Sequence, residues 1–180
     1  MARFAVLLRG VNVGSAKRVP MAEFRALLEA LGHGSVRTLL NSGNAVFDSG
    51  ERSAARHAQR IHESLLERLK VDVPVVVKSA QDFSAITAGN VLAPIASDPS
   101  RLLVAFAQEA AALAALAPVA ALAAAPEMMH IGPRAAYLWC PNGILQSQAG
   151  EALLGRVGRV VTTRNWGTVC KLEGLLRAGA

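Results

Sequence analysis

The chain opens on Phe4-Ala5-Val6-Leu7-Leu8, an apolar run that stops at Arg9 and is followed by a polar loop, residues 10–19. Because all five residues are apolar, they predict a central strand covered on both faces. Pro20 suits the first turn of a helix, and apolar residues then recur at helical spacing over 21–31. The sequence therefore begins with a strand, a loop and a helix.

Outward from this start, the pattern of segments repeats. Asn41-Ser42-Gly43-Asn44 are strong turn formers between apolar stretches at 36–40 and 45–47, which predicts a hairpin. A second helix is predicted over 52–70, and an edge strand over 73–77 because Pro74 cannot donate to a ladder. After residue 100 the same order returns, with strands at 102–107, 128–131, 136–140 and 159–162, helices at 109–116 and 151–157, and a last helix at 168–176. We predict an α+β fold made of duplicated ferredoxin-like units (βαββαβ twice) with a C-terminal helix.

This pattern divides the chain into an N-terminal lobe at 1–80, a connector at 81–100 and a C-terminal lobe with the terminal helix at 101–180. In a ferredoxin-like unit the helices cover one face of the sheet. The other apolar face of strand 4–8 therefore needs the second lobe or a partner chain to cover it.

The charge balance is basic, with a formal net charge of +6 concentrated at the two ends of the chain. A basic excess attracts nucleotides, phosphates or nucleic acid. A solvated, arginine-rich surface explains the same excess equally well. Aromatic residues make up only 4%, so few rings are left for stacking on bases.

Cysteine use and hydropathy predict a soluble, cytoplasmic protein that does not enter a membrane. Cys140 and Cys170 lack the spacing of a zinc or redox site, and two thiols in a reducing cytosol are favoured over one disulfide. The apolar stretch at 102–125 is interrupted by Glu109 and Pro118, so a strand and an alanine-rich helix are favoured over a membrane span. The apolar run at 4–8 is too short for a signal peptide.

Three polar clusters are candidate ligand sites. The first is the loop with Arg9, Asn12 and Lys17, just before a predicted helix whose N–H groups and dipole favour an anion. It matches neither GxxxxGK[ST] nor GxGxxG, and a structural loop with solvated cations is the alternative.

The second cluster is the hairpin turn with Asn41, Ser42 and Asn44. In a ferredoxin-like unit this turn lies at the same end of the sheet as the first loop, so the two clusters are expected to converge around one pocket. A turn with no ligand is the alternative. Ser42 has neither a nucleophile-elbow motif nor an identifiable base, so it is not predicted to be a nucleophile.

The third cluster contains Arg164, Asn165, Trp166 and Lys171. Arg164 suits a phosphate or carboxylate, and Trp166 suits a ring. Equally, Trp166 could fill the seam between the lobes while Thr168 caps the last helix.

Other chemistries find no support in the sequence. His57 and His62 form no HExxH pattern, no metal site is predicted, and no pair of carboxylates is spaced for acid–base catalysis. An RNA-recognition module shares the βαββαβ order, but Phe4 and Phe47 alone do not make its stacking platform.

Four ordered motifs carry a family resemblance: AVLLRGVNVG at 5–14, VPMAEFR at 19–25, NSGNAVF at 41–47 and TRNWGTVCKL at 163–172. They resemble the bacterial family called domain of unknown function 1697, whose members typically read LLRGINVGG, VPMAELR, QSGNVVF and TxRNWxTVxKL. The resemblance implies a duplicated ferredoxin-like fold and no established activity. This chain departs from the pattern at Ser15-Ala16, where members often have Gly and a polar residue. It also departs at Asn41, where members often have Gln. The family's signature positions correspond to Arg9, Gly10, Asn12, Gly14, Asn41, Ser42, Gly43, Asn44, Arg164, Asn165, Trp166 and Lys171.

These observations support three functional hypotheses. In the first, a polar cleft between the lobes binds a phosphate-bearing ligand, either a nucleotide or a nucleic acid, and Arg164→Ala weakens binding without lowering the melting temperature. In the second, the chain is a protein-interaction or homodimerisation module with no small ligand. In the third, it is a hydrolase or transferase whose reactive side chain is not identified. No residue pattern indicates a cofactor.

Overall fold

The computed structural model describes residues 1–14 and 17–178, so Ser15-Ala16 lies outside the described residues. The described residues form an α+β fold with two four-stranded antiparallel sheets and six α-helices. The chain divides into a first unit, made of 1–83 and the residues from 172 onward, and a second unit, 84–171. The division predicted from the sequence places residues 172–180 in the C-terminal lobe at 101–180 instead.

The first unit contains one sheet and the helices that pack on it. Its strands are β1 (Ala2–Leu8), β2 (Gly34–Leu39), β3 (Asn44–Ser49) and β4 (Val75–Ser79), in the order β2-β3-β1-β4. Its helices are α1 (Met21–Ala30) and α2 (Ala54–Ser64), and α2 continues into a π-helical turn at Leu65–Leu69. The unit boundary falls within α3 (Ala80–Ala88). As predicted, β4 is an edge strand, and Pro74 immediately precedes it.

The core of the first unit lies between the sheet and its helices. Phe4, Val6 and Leu8 project from β1 into a buried apolar cluster that also contains Phe24 of α1 and Ile61 of α2. The alternate residues of β1 are buried as well, so both faces of this strand are removed from water. This confirms the prediction of a central strand covered on both sides.

The second unit repeats the strand order of the first. Its strands are β5 (Leu102–Phe106), β6 (Met128–Ile131), β7 (Ala136–Trp139) and β8 (Thr162–Asn165), in the order β6-β7-β5-β8. Its helices are α4 (Ala117–Ala120) and α5 (Gln148–Leu154), and α6 (Trp166–Arg177) begins in this unit and ends in the first. None of the helices in the described ranges has both the length and the apolar character needed to cross a bilayer.

Several predicted elements of the second unit differ from the structure; α5, for example, spans Gln148–Leu154 rather than 151–157. The alanine-rich stretch Ala110–Leu116 is a 3₁₀ helix rather than an α-helix. Pro118 follows it, and proline cannot continue an α-helical ladder because it lacks an N–H and clashes with the preceding turn. The last strand begins at Thr162 rather than at residue 159, because Val157–Val160 form a 3₁₀ helix packed tightly on α5.

Candidate functional site

The loop between β1 and α1 is fastened by the side chain of Asn12. Its Nδ2 donates to the carbonyl oxygens of Val19 (2.8 Å) and Asn41 (2.7 Å), and its Oδ1 accepts from the Val19 N–H (2.9 Å). The Asn12 N–H donates to the carbonyl of Lys17 (2.9 Å). Both hydrogens of this carboxamide are therefore used within the protein, and Asn12 joins the loop to the hairpin turn.

The hairpin turn is also held by internal hydrogen bonds. Asn44 is fully buried, and its Nδ2 donates to the Leu39 carbonyl (2.9 Å) and to Ser42 Oγ (2.8 Å). Gly43 has φ +79°, and a Cβ at this position would lie 2.7 Å from Leu8 Cβ. The turn thus packs closely on the end of β1, and only glycine fits there without strain.

A pocket of about 260 Å³ opens where this loop meets the start of α1. It is lined by Asn12, Arg18, Val19, Pro20, Met21 and Asn41. In the described part of the chain no side chain caps α1, so its first-turn N–H groups have no side-chain acceptor. The exposed Arg18 donates one weak hydrogen bond, to the Gly14 carbonyl (3.3 Å). The lining of the pocket therefore includes a cation, Asn41 and the first residues of α1.

Arg18 belongs to the basic loop found in the sequence but was not among the predicted ligand residues. The sequence did carry a signal for Arg18, because this cation lies two residues before Pro20 and so close to the start of the predicted helix. The predicted cations lie elsewhere. The main-chain N–H of Arg9 donates to the Pro74 carbonyl (3.1 Å), and Lys17 Nζ donates to the Asp72 carbonyl.

The third predicted cluster lies along β8 and the start of α6. Arg164 is only 8% exposed, and its guanidinium donates to Thr162 Oγ1 (3.0 Å) and to the Thr163 carbonyl (2.7 Å). Burial lowers the pKa of Arg164 to about 10, so the side chain stays charged at neutral pH. These hydrogen bonds hold the guanidinium against its own strand.

The remaining residues of this cluster open α6. Asn165 Oδ1 accepts from the Thr168 N–H (2.9 Å), so Asn165 rather than Thr168 supplies the capping side chain. This is why α6 begins at Trp166, two residues earlier than predicted. Trp166 is partly buried, whereas Lys171 is exposed on the helix.

A buried aromatic cluster in the first unit contains two histidines that sequence analysis did not bring together. His33 stacks on Phe47 with ring centroids 4.2 Å apart, and His57 lies edge-on to His33 at 4.9 Å and to Phe4 at 4.7 Å. Because Phe4 and Phe47 are buried here, they are not available as a base-stacking platform.

Both imidazoles are buried in the core. His57 Nε2 lies 3.0 Å from the Glu51 carbonyl, which only accepts, so Nε2 carries the hydrogen. His33 Nε2 and His57 Nδ1 are buried without hydrogen-bond partners among the described residues. Burial, with smaller contributions from the charges of His57 and Arg60, lowers the pKa of His33 to about 4. The described ranges contain no group of three or more His, Cys, Asp or Glu residues placed to hold a metal ion.

Comparison with known proteins gives a family and a fold. The family described as "Protein of unknown function (DUF1697)" matches residues 1–137, a range that includes the three N-terminal motifs and stops before the fourth. The solved structure of SP0830, a conserved bacterial protein from Streptococcus pneumoniae, is 27% identical, with a TM-score of 0.81 over 98% of this chain and 99% of the other. No functionally curated protein matches the chain. The family match covers most of the sequence, and this chain belongs to the family "Protein of unknown function (DUF1697)".

Proposed function

We propose that this protein binds a phosphate-bearing ligand, such as a nucleotide or the backbone of a nucleic acid, at the pocket before α1. The observation that carries the proposal is the grouping of Arg18, the Asn41 carboxamide and the uncapped start of α1 around one pocket. A phosphate offers several acceptor oxygens, and all three of these partners supply hydrogen-bond donors.

Electrostatics at the pocket support an anionic ligand. The start of a helix carries a partial positive charge, which adds to the full charge of Arg18. The only acidic residue in the first turn of α1 is Glu23, which is not among the residues that line the pocket. The basic excess of the whole chain would also raise the local concentration of anions.

The pocket is small, and its size limits which part of the ligand it can hold. Its volume of about 260 Å³ lies below the usual range for whole drug-sized ligands, roughly 300–1,000 Å³. We therefore assign to it the phosphate and the group directly attached to it. The rest of a nucleotide or nucleic acid would extend out of the pocket into solvent.

This proposal narrows the one made from the sequence, which drew ligand contacts from both ends of the chain. It requires only residues of the first unit and does not depend on Arg164. That each unit is a ferredoxin-like copy, and that the protein works in the cytoplasm, remain parts of the proposal. The repeated strand order supports the first of these, and the sparse cysteines, which lack the spacing of a disulfide framework, support the second.

The test is a binding titration with inorganic phosphate, AMP and a short single-stranded RNA, in which binding is measured by calorimetry and by thermal shift. We expect Arg18→Ala to weaken AMP binding by roughly tenfold, the loss of one charge-assisted hydrogen bond at an exposed position. Arg25→Ala is the matched control, since Arg25 is an exposed arginine on α1 whose side chain pairs with Glu29 (2.8 Å). The affinity of the Arg25→Ala variant for AMP should equal that of the wild type.

Three results would contradict the proposal. Equal losses for Arg18→Ala and Arg25→Ala would mean that the protein attracts anions only through its overall charge. Binding of every polyanion that disappears at moderate salt would mean the same. Absence of saturable binding to all three compounds would favour the alternative hypothesis, an interaction module with no small ligand.

A further inference from the structure

A pocket of about 310 Å³ in the second unit plays no part in the phosphate proposal. Its lining joins the turn before β6 to the segment that leads from β7 into α5. The polar lining residues are Glu127, Asn142, Gln146 and Gln148, and the apolar ones are Leu122, Pro126 and two alanines. We call this site the Glu127 pocket, because Glu127 is the one charged residue among the described residues that line it.

Hydrogen bonds fix the main chain on both sides of the Glu127 pocket. On one side, the N–H of Glu127 donates to the Ala124 carbonyl (2.8 Å), just before the edge strand β6. On the other side, the Gly143 N–H donates to the Cys140 carbonyl (2.9 Å), and the Gln146 N–H donates to the Gly143 carbonyl (3.3 Å). The main chain is therefore ordered before a ligand arrives, which limits the conformational entropy lost on binding.

The polar side chains of the pocket have unused hydrogen-bonding capacity. In the described ranges, the side chains of Glu127 and of the three carboxamide residues form no hydrogen bond or ion pair. Glu127 is half-buried, so water hydrates its carboxylate only in part. An opposite charge beside such a group stabilises it. A positively charged group is therefore the complement of this pocket.

The charge of Glu127 acts on the segment that carries the carboxamides. Burial does most to raise the pKa of the Cys140 thiol, a hydrogen bond with Ser147 opposes this rise, and the charge of Glu127 adds to it. Cys140 directly precedes the segment 141–148, which contains all three carboxamide residues of the lining. One small ligand group can therefore contact the carboxylate and this segment together.

The charges around the pocket also favour a cation. Residues 102–155 contain three acidic residues and one basic residue, a formal net charge of −2 within a chain whose total is +6. The basic residue, Arg134, follows the end of β6 that is farther from Glu127 in the chain. Arg101 donates to the Pro141 carbonyl, but Asp98 pairs with it (3.3 Å) and offsets its charge. The surroundings of the pocket therefore differ in sign from the chain as a whole.

We infer that the Glu127 pocket binds the primary ammonium group of a small aliphatic amine, such as a diamine or a polyamine. The ammonium would pair with the Glu127 carboxylate and donate its other hydrogens to carboxamide oxygens of the lining. The methylene chain of the amine would pack on Leu122 and Pro126, as the stem of a lysine packs on apolar surface.

Other small ligands complement the pocket less well. An anion would be repelled by Glu127. A divalent metal ion prefers several carboxylate or water oxygens, and the described lining supplies one carboxylate. A neutral polyol could bond to the carboxamides, but it would leave the half-buried carboxylate without a counter-charge.

The test follows the side-chain amide signals of the full chain by two-dimensional nitrogen–proton NMR while putrescine is added. We expect the signals of Asn142, Gln146 and Gln148 to shift and to saturate. The diol of the same chain length and glucose, which carry no charge, should leave these signals in place. Glu127→Gln keeps the shape of the side chain and removes its charge, so it should weaken putrescine binding by roughly tenfold or more. The Tm of this variant without ligand should equal that of the wild type.

Glu109→Gln is the matched control, because Glu109 is an exposed acid of the same unit that does not line the pocket. It should leave putrescine affinity unchanged, and a loss equal to that of Glu127→Gln would overturn the inference by showing attraction through overall charge alone. No saturation by putrescine, or full affinity in Glu127→Gln, would also overturn it. So would equal shifts with the diol or with glucose, which would make the site one for hydroxyl groups. All of these measurements are independent of AMP binding at Arg18.

Discussion

Lowering the pH from about 7.5 to about 5 should weaken the fold through the buried imidazole of His33. In the folded protein the pKa of His33 is about 4, against an ordinary value of 6.5, because burial disfavours the charged ring. The unfolded chain therefore takes up the proton first. The stabilisation is complete above pH 6.5, and it is lost progressively as the pH falls toward 4.

The expected magnitude follows from the difference between the two pKa values. Each unit corresponds to about 1.4 kcal/mol, so full protonation of the unfolded chain would cost the fold about 3 kcal/mol near pH 4. At pH 5 the calculated loss is about 2 kcal/mol, and some screening by water at the ring edge reduces it. His33 is 6% exposed, so we expect most of this loss to remain.

Asp48 and Glu51 should contribute little to the change in stability down to about pH 5. A hydrogen bond from Arg3 lowers the pKa of Asp48, and the main-chain N–H of Ser53 does most to lower that of Glu51. Both groups therefore stay ionised over the interval. The change in the free energy of unfolding should come mainly from buried histidine.

The assay is urea denaturation followed by far-ultraviolet circular dichroism at a series of pH values. His33→Phe keeps a ring stacked on Phe47 but removes the titrating group, so its free energy of unfolding should vary much less with pH. His130→Gln, which removes a histidine of the second unit, should behave as the wild type. A wild-type stability that is flat between about pH 7.5 and about pH 5, or a His33→Phe variant that keeps the full slope, would refute the reasoning.

Four further substitutions test particular contacts by thermal and urea denaturation. Arg164→Ala should lower the free energy of unfolding by about 2 kcal/mol, roughly 5 °C in Tm, because it removes a buried, hydrogen-bonded side chain. An unchanged Tm together with lost phosphate binding would instead support a ligand-binding role for Arg164. Gly43→Ala should lower the free energy of unfolding by about 2 kcal/mol or more, because the new Cβ would meet Leu8. Gly10→Ala, where the space is open, should lower it by about 1 kcal/mol. Equal losses in the two variants would contradict this reasoning. Tyr137→Phe should cost about 1 kcal/mol, since the buried hydroxyl donates to a main-chain carbonyl of α3 (2.7 Å), and a neutral result would show that this hydrogen bond adds no net stability.

Most of the first unit could be predicted because local signals and tertiary packing agree there. The apolar run of β1, Pro20 before α1 and the turn formers at 41–44 each indicate the element that forms. The second unit was harder to predict because alanine carries a weak hydrophobic pattern. Periodicity therefore did not distinguish an α-helix from the 3₁₀ helix at Ala110–Leu116.

Contacts between distant residues could be predicted only where topology fixed them. The approach of the first loop to the hairpin turn follows from the order of strands, and the structure brings Asn12 and Asn41 into hydrogen-bond contact (2.7 Å). The pairing of His33 with His57 had no such signal. The two residues lie on different elements, and their contact depends on how α2 packs against the sheet.

In the sequence, the carboxamides of Asn12 and Asn44 resemble ligand-binding groups because they lie in glycine-containing loops. In the structure their N–H groups donate to main-chain carbonyls and to Ser42, so they offer no free donor to a phosphate. The residues of the pocket lining that could still supply donors are Arg18, Asn41 and those at the uncapped start of α1. Asn12→Ala should therefore lower Tm and AMP affinity together, because it loosens the loop that positions the pocket. Arg18→Ala should lower AMP affinity and leave Tm unchanged. If both variants instead lower Tm and AMP affinity together, the loop rather than the arginine governs binding.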